Sequence, residues 1–184
     1  MAQGRDETRK SPELGRIVLV PDPFDRRRGF LRAPGFTIRC AIGRSGLTGR
    51  KREGDGATPR GRLGLVSVFY RADRLPRPAT RLTADAIRFD DGWCDDPASP
   101  CYNRWIRLPA RPRHERLWRD DRIYDVVVVL DYNLARPRRG AGSAIFLHLA
   151  RPGYPPTEGC VAVSLADMRR LLSRAGRGSF IDAW

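Results

Sequence analysis

Ile145-Phe-Leu-His148-Leu-Ala-Arg-Pro-Gly-Tyr-Pro-Pro-Thr157-Glu158-Gly159-Cys160-Val-Ala-Val163 is the stretch on which the reading of this chain turns. Two short apolar runs, 145–149 and 161–163, read as strands joined by a proline-rich loop. His148 is one of two histidines and Cys160 one of four cysteines. A thiol that leaves a loop directly after Gly159 is sterically open and surrounded by backbone N–H groups. A histidine on the neighbouring strand is placed to take its proton. Those are the parts of a thiol nucleophile, its base and an oxyanion site. A buried structural cysteine beside a satisfied core histidine has the same spacing, so the pair alone leaves both readings open.

Outward from this stretch, strand signals dominate: 16–20, 36–42, 63–70, 105–108 and 124–130, each rich in β-branched or aromatic residues and bounded by Gly, Pro or Asp. The run Val126–Leu130 is apolar at consecutive positions, which predicts a strand covered on both faces. One helix is expected after the nucleophile. Ser164 and Asp167 form its start, Leu165, Met168, Leu171 and Leu172 its apolar stripe, and Gly176 its end. Its N-terminus would lie near the Cys160 thiol and favour a thiolate. The spacing predicts a mainly β domain over residues 14–184, with residues 1–13 a loose tail.

The stretch Asp90–Arg104 reads as a long polar loop, of a kind that either lines a site or runs over the surface. Trp93, Tyr102 and Arg104 within it are candidate substrate contacts. His114-Glu115-Arg-Leu-Trp118 lacks the second histidine of a His-Glu-x-x-His zinc site, and reads as a helical turn or loop whose His114 lines the cleft. No cysteine–histidine spacing suits a metal, so neither a metal nor another cofactor is expected. Cys94 and Cys101 share one loop, which leaves a disulfide and two reduced thiols both open.

The net charge is +14 and the pI about 11.0, which points to polyanionic partners. Lys10 and Lys51 are the sole lysines, however, and the arginines are scattered along the chain. No groove-reading motif accompanies the charge, so nucleic acid is not an expected partner. No run approaches the length of about 18 apolar residues needed for a membrane span. Met1–Lys10 is charged and polar and shows no secretory h-region.

The segment around Cys160 resembles the signature of the YkuD-type L,D-transpeptidases, cysteine enzymes that cross-link peptidoglycan. His148 matches their upstream base, Thr157 the Ser/Thr, Gly159 the glycine and Cys160 the nucleophile. Gly54-Asp-Gly-Ala-Thr58-Pro59-Arg-Gly61-Arg-Leu63 resembles the Thr-Pro-x-Gly stretch of the same domains. The whole is similar to a short stand-alone branch with Thr-Glu-Gly-Cys at the nucleophile, over about residues 38–172. Two departures stand out: the loop from His148 to Thr157 is short, and Glu158 replaces the usual histidine.

The resemblance implies a β-sandwich of short strands, a nucleophile at Cys160, a base at His148, and oxyanion or support roles for Gly159 and Thr157. It implies that a nearby backbone carbonyl orients the imidazole. Peptidoglycan stem peptides are then donor and acceptor, and the chain is expected to act as a monomer in the cell envelope or periplasm. The missing signal segment keeps a cytoplasmic place open. Water in place of the acceptor amine would make the same chemistry an L,D-carboxypeptidase. A silent wall-binding module is the competing reading, told apart by whether Cys160 reacts with an electrophile. Glu158 beside a thiolate would raise the thiol pKa, unless it turns to an arginine or binds the acceptor's ammonium.

Overall fold

The computed structural model describes residues 12–184, so the tail expected over 1–13 lies outside the described residues up to residue 11. In chain order the elements are β1 (Leu14–Pro21), β2 (Arg28–Ala33), β3 (Phe36–Ala41), β4 (Leu47–Thr48), β5 (Thr58–Pro59), β6 (Gly61–Tyr70) and β7 (Thr83–Ala86). They continue with β8 (Asp91–Cys94), β9 (Arg104–Arg107), β10 (His114–Arg116), β11 (Val126–Leu130), β12 (Phe146–Leu149), β13 (Val161–Val163), α1 (Leu165–Leu172) and β14 (Ala175–Ala183). Over the described residues the protein is mainly β with one helix, as its sequence led us to expect.

The strands run in the order β11-β12-β13-β3-β2-β1-β14-β6-β7, and β11 pairs again with β6. The layers of the sandwich are therefore joined into a closed circuit, with β7 added at β6. Closure leaves β7 as the outer strand of this sheet and pairs the other strands of the circuit on both sides. β8, β9 and β10 form a separate three-stranded sheet.

Strand β11 shows how the two-faced burial is used. Its five residues are all buried. Val126, Val128 and Leu130 face the main core with Leu63, Leu147 and Val161, while Val127 and Val129 face a second cluster with Trp93, Tyr124, Phe146 and Cys160. At about 2 kcal/mol per buried aliphatic side chain, this strand contributes on the order of 10 kcal/mol before chain entropy is subtracted. Trp93, from the separate sheet, meets the Phe146 ring edge-on at 5.1 Å between centroids. The second cluster thus binds the small sheet to the outer face of the circuit, and the cleft opens beside it.

Three local expectations are corrected. The helix ends at Leu172 with Ser173 as its cap in right-handed geometry, and Gly176 belongs to β14 instead. A right-handed exit needs no glycine, and Gly176 lies so close to Glu13 that a Cβ there would meet its carboxylate. Residues 90–104 are a loop only in part: 91–94 belong to β8 and Arg104 opens β9, with 95–103 connecting them. β8 and β9 pair as a hairpin in which Cys94 lies opposite Arg104. Residues 114–116 form β10, with His114 opposite Cys94, instead of a helical turn.

Candidate active site

Backbone register brings Cys160 and His148 together. β12 and β13 run parallel, with Leu147 opposite Val161 and His148 opposite Ala162. Side chains alternate along a strand, so Phe146 and His148 share a face with Cys160 and Ala162, while Leu147 and Val161 point into the main core. Strands about 4.8 Å apart and an offset of two residues put the two Cα atoms about 8 Å apart, a gap an imidazole and a thiol can span.

The loop before Cys160 is built on backbone contact. Gly159 has φ +136°, and a Cβ there would lie 2.9 Å from the Ala57 carbonyl oxygen. Thr157 donates its hydroxyl to the Cys160 carbonyl at 2.6 Å and accepts from the Gly159 N–H at 3.2 Å. Thr58, fully buried, donates to the same carbonyl at 3.3 Å and accepts from the Gly43 N–H at 2.9 Å. The Thr-Pro-x-Gly block thus holds the Cys160 backbone directly. Because the Gly159 N–H is spent on Thr157, Gly159 acts through its conformation. The Cys160 N–H, bonded to none of the described residues, is the donor left for an oxyanion.

His148 is buried, and its Nδ1 lies 3.0 Å from the Leu149 carbonyl oxygen. A carbonyl can only accept, so Nδ1 carries the proton and Nε2 keeps its lone pair. Tyr124 meets the imidazole edge-on, with centroids 5.4 Å apart. Burial pushes the His148 pKa down to about 4, and nearby Arg151 and Arg119 reinforce the shift. The thiol moves the other way. Burial raises the Cys160 pKa to about 12, and the negative charge of Glu115 adds to the rise. Both groups are therefore neutral at rest. The Cys160 Sγ donates to the Ala144 carbonyl at 3.2 Å and accepts from the Phe146 N–H at 3.4 Å.

The helix dipole does not relieve this. β13 separates Cys160 from Ser164, roughly 13 Å of extended chain, and a helix terminus acts over about one turn. The expected contribution of α1 to the thiolate is corrected accordingly.

The cleft over Cys160 and His148 has a volume of about 550 Å³. Its charged walls come from Glu53, Asp95, Arg113, Glu115, Arg119 and Arg151. Asp121 ties two of these arginines together, accepting from Arg119 and Arg151, each at 2.7 Å. Those two hydrogen bonds and the positive charges hold its carboxyl down at about 2.

The remaining candidates fall in different places. Glu158 lies at the rim, 76% exposed, and forms an ion pair with Arg44. Trp93, Tyr102, Arg104 and His114 do not line the cleft. Trp93 is buried under Phe146, its indole N–H bonded to Asn103 Oδ1 at 2.9 Å. Tyr102 donates its hydroxyl to Glu53 and supports the wall from behind. Arg104 donates to the carbonyls of Asn103, Leu134 and Ala135. His114 holds the Pro112 carbonyl through Nδ1 at 2.8 Å. Because β10 alternates, it is Glu115, the next residue, that reaches the cleft. Sequence reading missed Glu115 because residues 114–118 did not look like a strand.

Cys94 and Cys101 are both free, one buried in β8 and the other exposed, which is the reduced of the two alternatives left open. Among the described residues no cluster of three His, Cys, Asp or Glu side chains is placed to hold a metal, and no helix is long and apolar enough to cross a membrane.

The family model of the YkuD L,D-transpeptidase catalytic domain matches residues 24–182. The chain belongs to that family. The family consists of cysteine-dependent enzymes that act on peptidoglycan peptides, with a general role at the cell wall. No curated protein and no solved structure matches the chain.

Proposed function

We propose that this member of the family is an L,D-transpeptidase that works through a thioester on Cys160, forming or remodelling cross-links between peptidoglycan stem peptides. The observation that carries this reading is the shared face of Cys160 and His148 over one cleft, with Nδ1 of His148 held by the Leu149 carbonyl and Nε2 free. In the first half-reaction Nε2 takes the thiol proton as sulfur attacks the carbonyl between a diamino-acid centre and a terminal D-alanine. The Cys160 N–H steadies the oxyanion, a contribution of roughly 3–4 kcal/mol for a well-placed donor. His148 then returns the proton to the departing D-alanine amine. In the second half-reaction an acceptor amine attacks the thioester and the thiol is regenerated.

The reading places its action in the cell envelope, where the substrate lies. Hydrolysis of the same thioester by water is the competing outcome, and the products separate the two. Incubation of purified protein with muropeptides, followed by mass spectrometry, tests the proposal. Cross-linked product with loss of D-alanine is expected, together with an acyl adduct on Cys160. Both should vanish in Cys160→Ala while the fold persists. Turnover by Cys160→Ala, or an unreactive Cys160 in the parent chain, would remove the enzyme reading and favour a silent wall-binding module.

A further inference from the structure

The thioester must distinguish an amine from water, although water is far more abundant. The acceptor amine carries a positive charge at neutral pH, since an alkyl ammonium has a pKa of about 10.4. A carboxylate inside the cleft would recognise it. Four carboxylates line the cleft: Glu53, Asp95, Glu115 and Glu158. Asp95 is engaged by Arg113 at 3.0 Å, and Glu158 by Arg44 at the exposed rim. Glu53 accepts two hydroxyls on one oxygen, from Tyr102 and from Ser143.

Glu115 and Glu53 each keep one oxygen that accepts from none of the described residues, but Glu115 is the one bonded to Tyr124, which packs edge-on against His148. The Oε1 of Glu115 accepts the Tyr124 hydroxyl at 2.7 Å, while its Oε2 accepts from none of the described residues. The nearest cation, Arg119, stands 3.9 Å from Oε1 and gives its close bonds to Asp121 at 3.0 and 2.7 Å. The Glu115 side chain keeps 29% of its surface exposed. Its charge is also felt at the thiol, where it raises the Cys160 pKa. An under-neutralised carboxylate, anchored on one oxygen and open on the other, thus stands in the field of the reacting sulfur.

On the proposed function above, we propose that Glu115 receives the acceptor's ammonium group and so selects a primary amine over water. The ammonium donates to Oε2 and passes one proton to it. The neutral amine attacks the thioester carbon, the C–N bond forms and the C–S bond breaks. The second amine proton travels through Nε2 of His148 to the leaving sulfur, which restores the Cys160 thiol. Glu115 later releases its proton to solvent. Burial already lifts the Glu115 pKa above the ordinary carboxyl range, and that suits a group which must hold a proton briefly.

The test uses the full chain. Acyl-Cys160 is formed from a donor tetrapeptide, then offered a diamino-acid peptide bearing a free ammonium or, separately, hydroxylamine, which is uncharged at neutral pH. The measured quantity is the ratio of aminolysis to hydrolysis. Glu115→Gln keeps an acceptor for the Tyr124 hydroxyl and removes the charge. The ratio for the ammonium acceptor is expected to fall roughly 10–100-fold, the range for loss of a charged hydrogen bond, while the hydroxylamine ratio holds. Tyr124→Phe removes the hydrogen bond and leaves the carboxylate, so it should retain most of the preference for the ammonium. Equal falls for both nucleophiles, no fall for either, or a loss in Tyr124→Phe matching that in Glu115→Gln would overturn the assignment. So would a larger fall in Glu158→Gln than in Glu115→Gln. Failure of the parent chain to form acyl-Cys160 at all would overturn the proposed function as well, and is a distinct result.

Discussion

Cys160 should be slow to alkylate despite its proposed role as nucleophile. With its pKa pushed up to about 12, only about one part in 10⁴ is thiolate at pH 8, whereas a free thiol of pKa about 8.5 is about one quarter ionised. That difference is roughly 2,000-fold. The more basic thiolate is intrinsically more nucleophilic, and a Brønsted slope of about 0.45 over 3.5 pKa units restores roughly 40-fold. Iodoacetamide should therefore modify Cys160 roughly 10²-fold more slowly than free cysteine at pH 8. The rate should climb about tenfold per pH unit up to at least pH 10. The assay is alkylation followed by peptide mass spectrometry, which separates Cys160 from exposed Cys101 and buried Cys40 and Cys94. The physical origin is plain. Moving the proton from a thiol of pKa about 12 to an imidazole of pKa about 4 is uphill, because burial disfavours the charged form of both groups. A plateau of reactivity between pH 5 and pH 8 would mean that a thiolate–imidazolium pair is already formed, and would refute the reasoning.

Glu115→Gln should speed alkylation of Cys160, because it removes a negative charge that opposes the thiolate; an unchanged or slower rate at pH 8 would count against that coupling. His148, neutral in the fold with a pKa of about 4, would take up a proton in the unfolded chain at about 6.5, so unfolding binds more protons in that window. Stability should fall by about 3 kcal/mol as pH drops from about 6.5 to about 4, and urea titrations of His148→Gln should show a shallower loss. Gly159→Ala should abolish acylation, since the side chain would need φ +136° and would press on the Ala57 carbonyl; normal acyl-enzyme yield would contradict it. Thr157→Val should destabilise the loop by about 1–3 kcal/mol, since it leaves the Gly159 N–H unbonded and the Cys160 carbonyl with only the longer bond from Thr58, and should lower kcat more than it changes the melting of the whole domain.

What the amino-acid sequence determined by itself is the part governed by local rules. The alternation of side chains in 145–149 and 161–163, with a glycine before Cys160, is enough to place a histidine and a thiol on one face once the two runs pair. The apolar run Val126–Leu130 announces burial on both faces, and Ser164 with Asp167 marks the start of α1, where the Ser164 hydroxyl does accept the Asp167 N–H at 3.1 Å. The helix end was misread, because Gly176 obeys a capping rule whose place was taken by pairing of Ala175 with Leu14. Tertiary structure alone decided which charges surround the pair. Glu115 enters the cleft only because β10 pairs with β8, and Trp93 is withdrawn from it by the same small sheet packing on Phe146. The Ala144 carbonyl that holds the resting thiol and the Asp121 that joins Arg119 to Arg151 are likewise contacts between segments that no periodicity connects. A titratable group takes its pKa from burial and from neighbours across the fold, so the state of Cys160 and His148 is a property of the packed protein and has no counterpart in the local sequence.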